Sequence, residues 1–391
     1  MTRRWRLLAA ELLAGDRWIL GLVLLLAVVG TSIVYSAGSF RGDGGASFLL
    51  RHLVRLVTGL ALMTWIATRD LSLLRRRGLL WGLVALSLAL LAATVVLRGT
   101  PWVVSKAGIA RWLRLPLLPF PVQPVELVKV SLVLFLAERL SGGLDRLRRR
   151  RRWLPVAVVP GMALVILLLQ PNFSNALVLL LVTVLMLWLA GLPQRLLLGV
   201  MLAGVLLAGA GYRVVPKIQH RLGAWWQGAS LRTEEFQVRQ GLIALGAGGT
   251  FGRGLGGSRQ RQAFLPESQT DYVFAVLGEE TGLAGTLLVL AAFLGLAWRG
   301  IRVARRSGDR FGALAAAGAT GLVVCYALLN MGMVTALLPV LGVPLPLLSF
   351  GGSALIANLA AVGVILCVDR ANRDALTLRR QVSRRLMVGD G

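Results

Sequence analysis

Cysteine, histidine and acidic residues are scarce in this chain. Among 391 residues there are two cysteines, two histidines and 17 Asp and Glu residues. Cys325 and Cys367 both fall inside long apolar stretches, which argues against a disulfide between them. His52 and His220 are not spaced as metal ligands. The scarcity therefore argues against a disulfide scaffold and against a His/Cys metal centre.

Charged residues are also few, and apolar residues take their place. Only 15% of the residues are charged, 56% are hydrophobic, and the mean hydropathy is +0.73, which excludes an ordinary soluble domain of this length. Ten apolar stretches are each long enough to cross about 30 Å of hydrocarbon as a helix. They are bracketed at 18–38, 48–67, 79–97, 123–140, 153–170, 174–192, 196–215, 271–298, 312–338 and 349–368. The predicted fold class is an all-α polytopic membrane protein with ten transmembrane helices.

The basic residues predict how the chain is oriented. Its 43 Lys and Arg residues give a net charge of +26, and 27 of them lie at the two ends and in alternate connections between the stretches. Arginine-rich short loops mark the cytoplasmic side, so both termini are predicted to be cytoplasmic. The chain divides into a membrane domain, 1–369, and a basic cytoplasmic tail, 370–391. This charge is topological, and nucleic acid is not an expected partner.

One connection is long as well as basic. Residues 216–270, between the seventh and eighth stretches, form a predicted extracytoplasmic loop in which Gly252, Gly254 and Gly257 spell GxGxxG. A dinucleotide-binding turn needs that pattern inside a βαβ unit, so no nucleotide is expected here. Glycines still allow backbone N–H groups to approach a phosphate, and arginines neutralise it, so a lipid diphosphate would suit this loop. A plain flexible loop with turn glycines is the alternative. The candidate cations are Arg253, Arg259 and Arg261.

Acidic residues mark the start of the eighth stretch. Asp271 lies at its predicted outer end, one turn after Glu267. From position alone, Asp271 is favoured as a helix N-cap. Glu279 and Glu280 lie about two turns deeper, where ionisable groups are functional or paired. At about 100° per residue, Glu279 falls roughly 80° from the stripe of Asp271 and Glu280 faces the opposite side, so Glu280 is predicted to be a structural partner in the bundle.

Two more polar clusters accompany these acids. In QPVELVKV, Glu126 and Lys129 are three residues apart. They form either an internal ion pair or part of a functional site, and the sequence leaves both roles open. Just before it, Lys106 and Arg111 lie among tryptophans, as in a segment that contacts lipid headgroups. The third cluster, PVLGVPLPLLSFGGS, has prolines that break the helix and contains Ser349, with helix packing and substrate contact as the alternatives. An outward-opening cavity would unite the clusters.

Several stretches together resemble the SEDS family (shape, elongation, division and sporulation) of membrane proteins. The matching stretches are DRWILGLVLLLAVVGTSIVYSAGS, RWL followed by QPVELVKV, ALGAGGTFGRGLGGSRQ, LPESQTDYVFAVLGEETGLAG and NMGMVTALLPVLGVPLPLLSFGGSALIANL. They cover nearly the whole chain, and their order identifies it as a member. GLGGSRQ is closer to the division branch than to the elongation branch. The turn QPNFSNA departs from the commoner QPD-x-GTA, so Asn172 stands where an acid is usual.

The resemblance implies a peptidoglycan glycosyltransferase of the bacterial inner membrane. It implies that the chain polymerises lipid II outside the cytoplasmic membrane and works with a class B penicillin-binding protein and other division or elongation proteins. Asp271, in TDYVF, takes the position of the family's catalytic aspartate. A divalent cation, Mg²⁺ or Mn²⁺, held by Asp271 or Glu267 is one way to stabilise a diphosphate leaving group. The candidate substrate-binding residues are Lys106, Arg111, Glu126, Lys129, Arg253, Arg259, Arg261, Glu267 and Ser349.

Three alternatives remain at this stage. A transporter could move the lipid-linked precursor between leaflets, since intramembrane ionisable groups also mark substrate pathways. Transporters often contain two related halves, and the chain shows no convincing internal repeat. An elongation polymerase of the same family and a noncatalytic scaffold for division proteins are the other two.

Overall fold

The computed structural model describes residues 15–38, 45–106, 109–116, 120–143, 153–214, 233–258 and 269–389. Within these ranges the chain forms helices joined by short connections, together with one antiparallel hairpin. The helices are α1 (Arg17–Gly38), α2 (Ala46–Ala67), α3 (Leu71–Leu74), α4 (Arg77–Val96), α5 (Pro124–Ser141), α6 (Trp153–Leu169), α7 (Phe173–Leu189), α8 (Gln194–Val214), α9 (Thr233–Ala247), α10 (Val273–Arg306), α11 (Arg310–Val334) and α12 (Gly352–Gly389). The strands are β1 (Val103–Lys106) and β2 (Ile109–Leu113).

Local sequence signals explain where several helices begin. Pro124 occupies the first turn of α5, where its missing N–H and fixed φ cost nothing. Asp309 is the N-cap of α11, and its carboxylate accepts a hydrogen bond of 3.1 Å from the Gly312 N–H. Asp16 precedes α1, and its Oδ1 accepts from the Trp18 N–H at 3.1 Å. These caps satisfy backbone donors that have no partner within their own helix.

The helices define a mostly helical multi-pass membrane protein. Among the described residues, six helices are long and apolar enough to cross a membrane, namely α1, α2, α4, α10, α11 and α12. The apolar helices α6, α7 and α8 are shorter. Helix α5 carries charged residues in both its first and last turns, Glu126 and Arg139. Each of the ten predicted stretches overlaps one helix, and most of the predicted ends agree with the helix ends within a few residues. That the chain crosses the membrane ten times stays a prediction.

The structure departs from the sequence-based expectation in three places. Helix α11 ends at Val334 rather than near residue 338, because the proline-rich 335–351 segment is irregular. The long predicted loop contains helix α9. An all-α fold is wrong in detail, because residues 103–113 form the β1–β2 hairpin with Val103 opposite Leu113. Valine, isoleucine and tryptophan in that segment favour a strand. The helical periodicity of the neighbouring apolar stretches did not indicate a hairpin between them.

Helices α5 and α11 form the centre of the bundle. Side chains on nearly every side of α5 are buried, and most of α11 is buried as well. A helix that is buried all round lies inside a bundle. Helix α11 packs against α5, α7, α10 and α12, while α2 packs along α12 and α1 along α10. The starts of α5, α7, α10 and α12 carry the polar residues singled out above.

Candidate functional site

Asp271 lies just before helix α10 and is partly buried. Its carboxylate faces the irregular 335–351 segment, since a Cβ added to Gly342 would lie 3.3 Å from Asp271 Oδ2. The Asn330 side-chain amide donates to the Asp271 carbonyl oxygen at 2.8 Å and to the Val343 carbonyl oxygen at 2.6 Å. Asn330 therefore ties α11 to both Asp271 and the segment that faces it.

Two features of the 335–351 segment bring it close to Asp271. Gly342 has a φ of 65°, which disfavours any other residue there. Ser349, a predicted substrate-binding residue, is 2% exposed. Its hydroxyl donates to the Thr270 carbonyl oxygen at 2.6 Å and accepts from the Leu345 N–H at 2.8 Å. In the structure Ser349 thus holds the segment against the residue before Asp271.

A second polar group, here called the polar network, joins α5, α7 and α11. It consists of Glu126, Lys129, Asn175 and Tyr326. Lys129 Nζ lies 2.7 Å from Glu126 Oε1 and 3.0 Å from Asn175 Oδ1. The Tyr326 hydroxyl lies 2.8 Å from Asn175 Oδ1, and Lys129 Nζ sits 4.1 Å from the centre of the Tyr326 ring. All four side chains are buried, and Glu126 and Lys129 form an internal ion pair, which is one of the two roles that the sequence left open for them.

Sequence reasoning missed two members of the polar network. Asn175 belongs to the turn QPNFSNA at the start of α7, where it also donates to Asn172 Oδ1 at 3.0 Å. Tyr326 lies in the middle of α11, and its helix alone gives no reason to single it out. A tyrosine in a membrane helix needs a partner for its hydroxyl, and that requirement was the available signal.

Contacts along the chain place Asp271 and the polar network side by side. Leu341, next to Gly342, accepts a hydrogen bond from the Ser174 hydroxyl, and Ser174 is next to Asn175. At the same turn, Arg111 Nη2 donates to the Pro171 carbonyl oxygen at 2.9 Å, which attaches the β1–β2 hairpin. The structure therefore brings together the starts of α5, α7 and α10, the hairpin and the 335–351 segment. Lys106 ends strand β1 of that hairpin.

Glycines of the GxGxxG stretch pack against a break in α10. Gly282 interrupts α10 with a φ of 69° and a ψ of −164°. In an unbroken helix, the N–H groups of residues 283 and 284 would bond to the carbonyl oxygens of residues 279 and 280. Here the turn 249–254, called the glycine turn below, provides the partners for all four groups. Its contacts are Arg253 N to Glu279 O at 3.0 Å, Gly254 N to Glu280 O at 3.0 Å, Leu283 N to Gly249 O at 2.9 Å and Ala284 N to Thr250 O at 3.1 Å.

This arrangement explains the glycines without a phosphate. A Cβ on Gly252 would lie 2.2 Å from the Glu280 carbonyl oxygen, and one on Gly248 would lie 1.9 Å from the Gly278 carbonyl oxygen. The glycines permit one backbone to approach another. The N–H groups of Arg253 and Gly254 are bonded to helix carbonyls, so these two groups do not donate to a phosphate. Diphosphate binding by the loop as a whole stays a prediction.

We expect Gly282→Ala to destabilise the fold. An alanine would have to adopt a backbone conformation that is nearly exclusive to glycine, and its Cβ would lie 2.4 Å from the Gly252 N atom. Each of these effects costs about 1–3 kcal/mol. Thermal unfolding of the purified protein in detergent measures the loss. Gly21→Ala in α1 is the matched control, since a Cβ there meets no atom within 4 Å, and equal unfolding midpoints for the two variants would contradict the expectation.

Arg253 has an acidic partner of its own. Its Nη1 lies 3.3 Å from Glu279 Oε1, and Glu279 Oε2 accepts from the Ser258 hydroxyl at 2.5 Å. Arg253 was a predicted substrate-binding cation, and in the structure it holds the glycine turn on the fully buried Glu279. Glu280 accepts from the Ser36 hydroxyl of α1 at 2.5 Å, as expected for a structural partner in the bundle.

Some predicted site residues lie outside the part of the chain that the structure describes. They are Arg259, Arg261 and Glu267. Within the described ranges there is no group of three or more His, Cys, Asp or Glu residues that could enclose a metal ion. Magnesium commonly binds through one or two carboxylates and the phosphates of a substrate. The described residues therefore fit a divalent cation only as one shared between Asp271 and a substrate.

The fold and the site define an integral membrane protein with a polar centre at the starts of its helices. The chain belongs to the FtsW/RodA/SpoVE family of cell cycle proteins, whose family model matches residues 16–374. It is similar to a protein named "Probable peptidoglycan glycosyltransferase FtsW" from Geobacter sp. (strain M18), with 36% identity over 92% of this chain and 98% of the relative. It is also similar to stage V sporulation protein E from Bacillus subtilis (strain 168), with 34% identity over 90% of this chain and 96% of the relative.

Solved structures share the fold. One is a chain from work on the structural coordination of polymerization and crosslinking by a peptidoglycan synthase complex, with a TM-score of 0.74, 28% identity and coverage of 92% of this chain and 99% of that chain. Another is the rod shape determining protein RodA of Thermus thermophilus, with a TM-score of 0.68, 29% identity and coverage of 92% and 98%. The likeness therefore extends over nearly the full length of both proteins.

Proposed function

We propose that this protein is a peptidoglycan glycosyltransferase that polymerises lipid II at the outer face of the bacterial inner membrane during cell division. The observation that carries this proposal is the placement of Asp271 before α10, facing Gly342 beside the polar network. Full-length similarity to a relative named as a peptidoglycan glycosyltransferase supports the chemistry. The similar proteins named FtsW, together with the GLGGSRQ stretch, support the division role over the elongation role.

The proposed reaction is a glycosyl transfer that uses one carboxylate. A sugar hydroxyl of the acceptor attacks the anomeric carbon of the donor and forms a new C–O bond. The bond between that carbon and the diphosphate oxygen breaks, and the polyprenyl diphosphate leaves with the electron pair. Asp271 accepts the proton of the attacking hydroxyl. A diphosphate needs stabilisation of its charge rather than a proton, so a second acid is not required.

Basic residues stabilise the leaving group in this proposal. Arg111 lies near the site through its bond to Pro171, and Lys106 belongs to the same hairpin. Arg259, Arg261 and Glu267 remain candidates that lie outside the described residues. A divalent cation, Mg²⁺ or Mn²⁺, shared by Asp271 and the substrate phosphates would add positive charge at the leaving group. Glu126 and Lys129 contribute as substrate contacts or as the ion pair that fixes α5.

The proposal includes a topology. Ten transmembrane helices make up residues 1–369, both termini are cytoplasmic, the 216–270 loop is extracytoplasmic and the basic tail 370–391 is cytoplasmic. The arginine-rich connections support this orientation. Under it, the starts of α2, α5, α10 and α12 share the outer side, which places Asp271 where lipid II polymerisation occurs.

A transpeptidase is the proposed partner. One of the similar structures is a chain of a peptidoglycan synthase complex that coordinates polymerization and crosslinking. We propose that this protein likewise works with a class B penicillin-binding protein, and with other division proteins, while membrane lipid surrounds its apolar helices.

Purified protein mixed with labelled lipid II tests the function. We expect glycan chains to grow, and to grow faster when the partner transpeptidase is added. The same protein in vesicles, with a probe of lipid II exposure on each leaflet, tests the transporter alternative. Leaflet exchange without chain growth, with or without the partner, would contradict the proposal and favour a transporter.

A further inference from the structure

Three nitrogen-bearing side chains lie on one side of α2 near its start. They are Arg51, His52 and Arg55, and the helix begins at Ala46. Residues three and four apart on a helix are neighbours, so Arg55 lies beside both of the others. The sequence pattern did not indicate a site role for any of the three, and at His52 it showed only that metal-ligand spacing is absent.

Aromatic rings, rather than acids, surround Arg55. Its guanidinium carbon lies 4.5 Å from the centre of the Phe350 ring and 5.5 Å from the centre of the Phe120 ring. A Cβ added to Gly352 would lie 3.0 Å from Arg55 Nε, so a larger residue at 352 would press on the guanidinium. Three separate parts of the chain thus hold Arg55 in place: α2, the loop before α5 and the start of α12.

Three buried nitrogen atoms in this cluster have no hydrogen-bond partner among the described residues. His52 is fully buried, and neither of its ring nitrogens has one; the same holds for the buried Nε of Arg55. Within the described residues, no carboxylate lies within ion-pair distance of Arg51 or Arg55, and Arg51 bonds only to Ser47 of its own helix. Ionisable groups at membrane depth are normally paired with one another or with backbone oxygens. The half-buried Arg55 has no acid beside it, and with the exposed Arg51 next to it, it is available to an anion that comes from outside the chain.

The cluster adjoins the catalytic candidate. The Phe350 N–H donates to the Gln269 carbonyl oxygen at 2.9 Å. Gln269 precedes Asp271 by two residues, and two residues of chain span at most about 7 Å. Arg55, stacked on the Phe350 ring, is therefore connected to the segment before Asp271 through Phe350 and one backbone hydrogen bond.

We propose that Arg55, together with the exposed Arg51, binds the phosphate oxygens of a lipid-linked diphosphate at the site of Asp271. The inference rests on the proposed function and names a phosphate-binding group beyond the candidates on the hairpin and the long loop. A guanidinium fixed between two aromatic rings presents its N–H fork in one plane, which suits two phosphate oxygens at once. The aromatic rings supply the orientation that an acidic partner would otherwise supply.

Binding of farnesyl diphosphate to the purified full chain in detergent tests this inference without requiring turnover. We expect Arg55→Gln to weaken binding about 10- to 100-fold, the loss typical of hydrogen bonds to a charged group. Arg195→Gln is the matched control, because Arg195 is an exposed arginine at the start of α8 with no role in the site, and it should bind as the wild type does. Farnesol, which lacks phosphate, should not compete.

A second variant covers the case in which Arg55→Gln does not fold. Arg55→Lys keeps the charge and loses the planar fork, so we expect it to retain the unfolding midpoint and to bind several-fold more weakly than the wild type. Wild-type affinity in both folded Arg55 variants, or no binding of farnesyl diphosphate to the wild type, would overturn the inference. Competition by inorganic pyrophosphate as strong as that by farnesyl diphosphate would overturn the assignment to a lipid.

Two results distinguish a failure of phosphate binding by Arg55 from a failure of the polymerase function. If the wild-type protein binds farnesyl diphosphate through Arg55 but never extends glycan, phosphate binding by Arg55 is supported and the proposed polymerase function is wrong. If the wild-type protein polymerises lipid II while Arg55→Gln keeps the wild-type KM for lipid II and the wild-type affinity for farnesyl diphosphate, the polymerase function is supported and phosphate binding by Arg55 is wrong.

Discussion

Asp271→Asn should lower the rate of lipid II polymerisation by a factor of about 10² to 10⁴, the usual contribution of a general base. Asparagine has nearly the same size and cannot accept the hydroxyl proton. The backbone contact of Asp271 with Asn330 involves its carbonyl oxygen and survives the change, so the fold should be retained. Initial rates of glycan formation from labelled lipid II, with the partner present, measure the effect.

Asp309→Asn is the matched control for this prediction. Asp309 also precedes a helix, and its side chain caps α11 by accepting from Gly312. Asparagine caps a helix about as well as aspartate, so the control should keep both stability and rate. Wild-type polymerisation by the Asp271 variant would refute its role as the base. An equal loss in the Asp309 variant would show that the assay reports a general effect of removing a carboxylate.

Lys129→Met should destabilise the protein by about 3–5 kcal/mol, because it leaves the buried Glu126 carboxylate without its cation. The pair is at the centre of the bundle, with 1% of the Lys129 side chain and 5% of the Glu126 side chain exposed. Adding Glu126→Gln to Lys129→Met removes the unpaired charge, so the double variant should recover most of the lost stability. Chemical or thermal unfolding in detergent, followed for the wild type and both variants, measures the difference.

The same variants separate two roles for the polar network. Recovery of stability together with polymerisation would assign Glu126 and Lys129 to holding α5, α7 and α11. Recovery of stability without polymerisation would assign them to substrate contact as well. Arg77→Met is the control, since its ion pair with Glu138 is largely exposed on the Arg77 side and such pairs contribute little. A Lys129 single variant as stable as the wild type would contradict the prediction.

Glu279 shows why angular reasoning from the sequence had limits. Counting 100° per residue gives a direction for the Glu279 side chain, but it does not show that α10 begins only at Val273 or that it breaks at Gly282, three residues after Glu279. The break frees backbone groups at membrane depth, and these must find partners inside the protein. The glycine turn supplies them, yet it is some thirty residues earlier in the chain. Nothing in the helical period of 273–306 could have indicated that contact.

Glycine itself was the ambiguous signal in the GxGxxG stretch. Gly252 and Gly254 indicate only that something approaches the backbone closely, and a phosphate and a helix carbonyl both meet that description. The structure chooses the carbonyls of Glu279 and Glu280. Arg253 was predicted to bind substrate for a similar reason, because a positive charge in the sequence does not show that Glu279 lies opposite it.

Sequence patterns alone identified a helical membrane protein, the ends of most of its helices and its family. Hydropathy and arginine placement act locally along the chain, so they can be read without a fold. The contacts between polar groups became clear only in the folded chain: Lys129 meets Asn175 and Tyr326, and Arg55 meets Phe350 rather than an acid. The physical reason is that a buried charge takes its partner from whichever helix packs beside it, and the packing of distant segments leaves no periodic trace in either one.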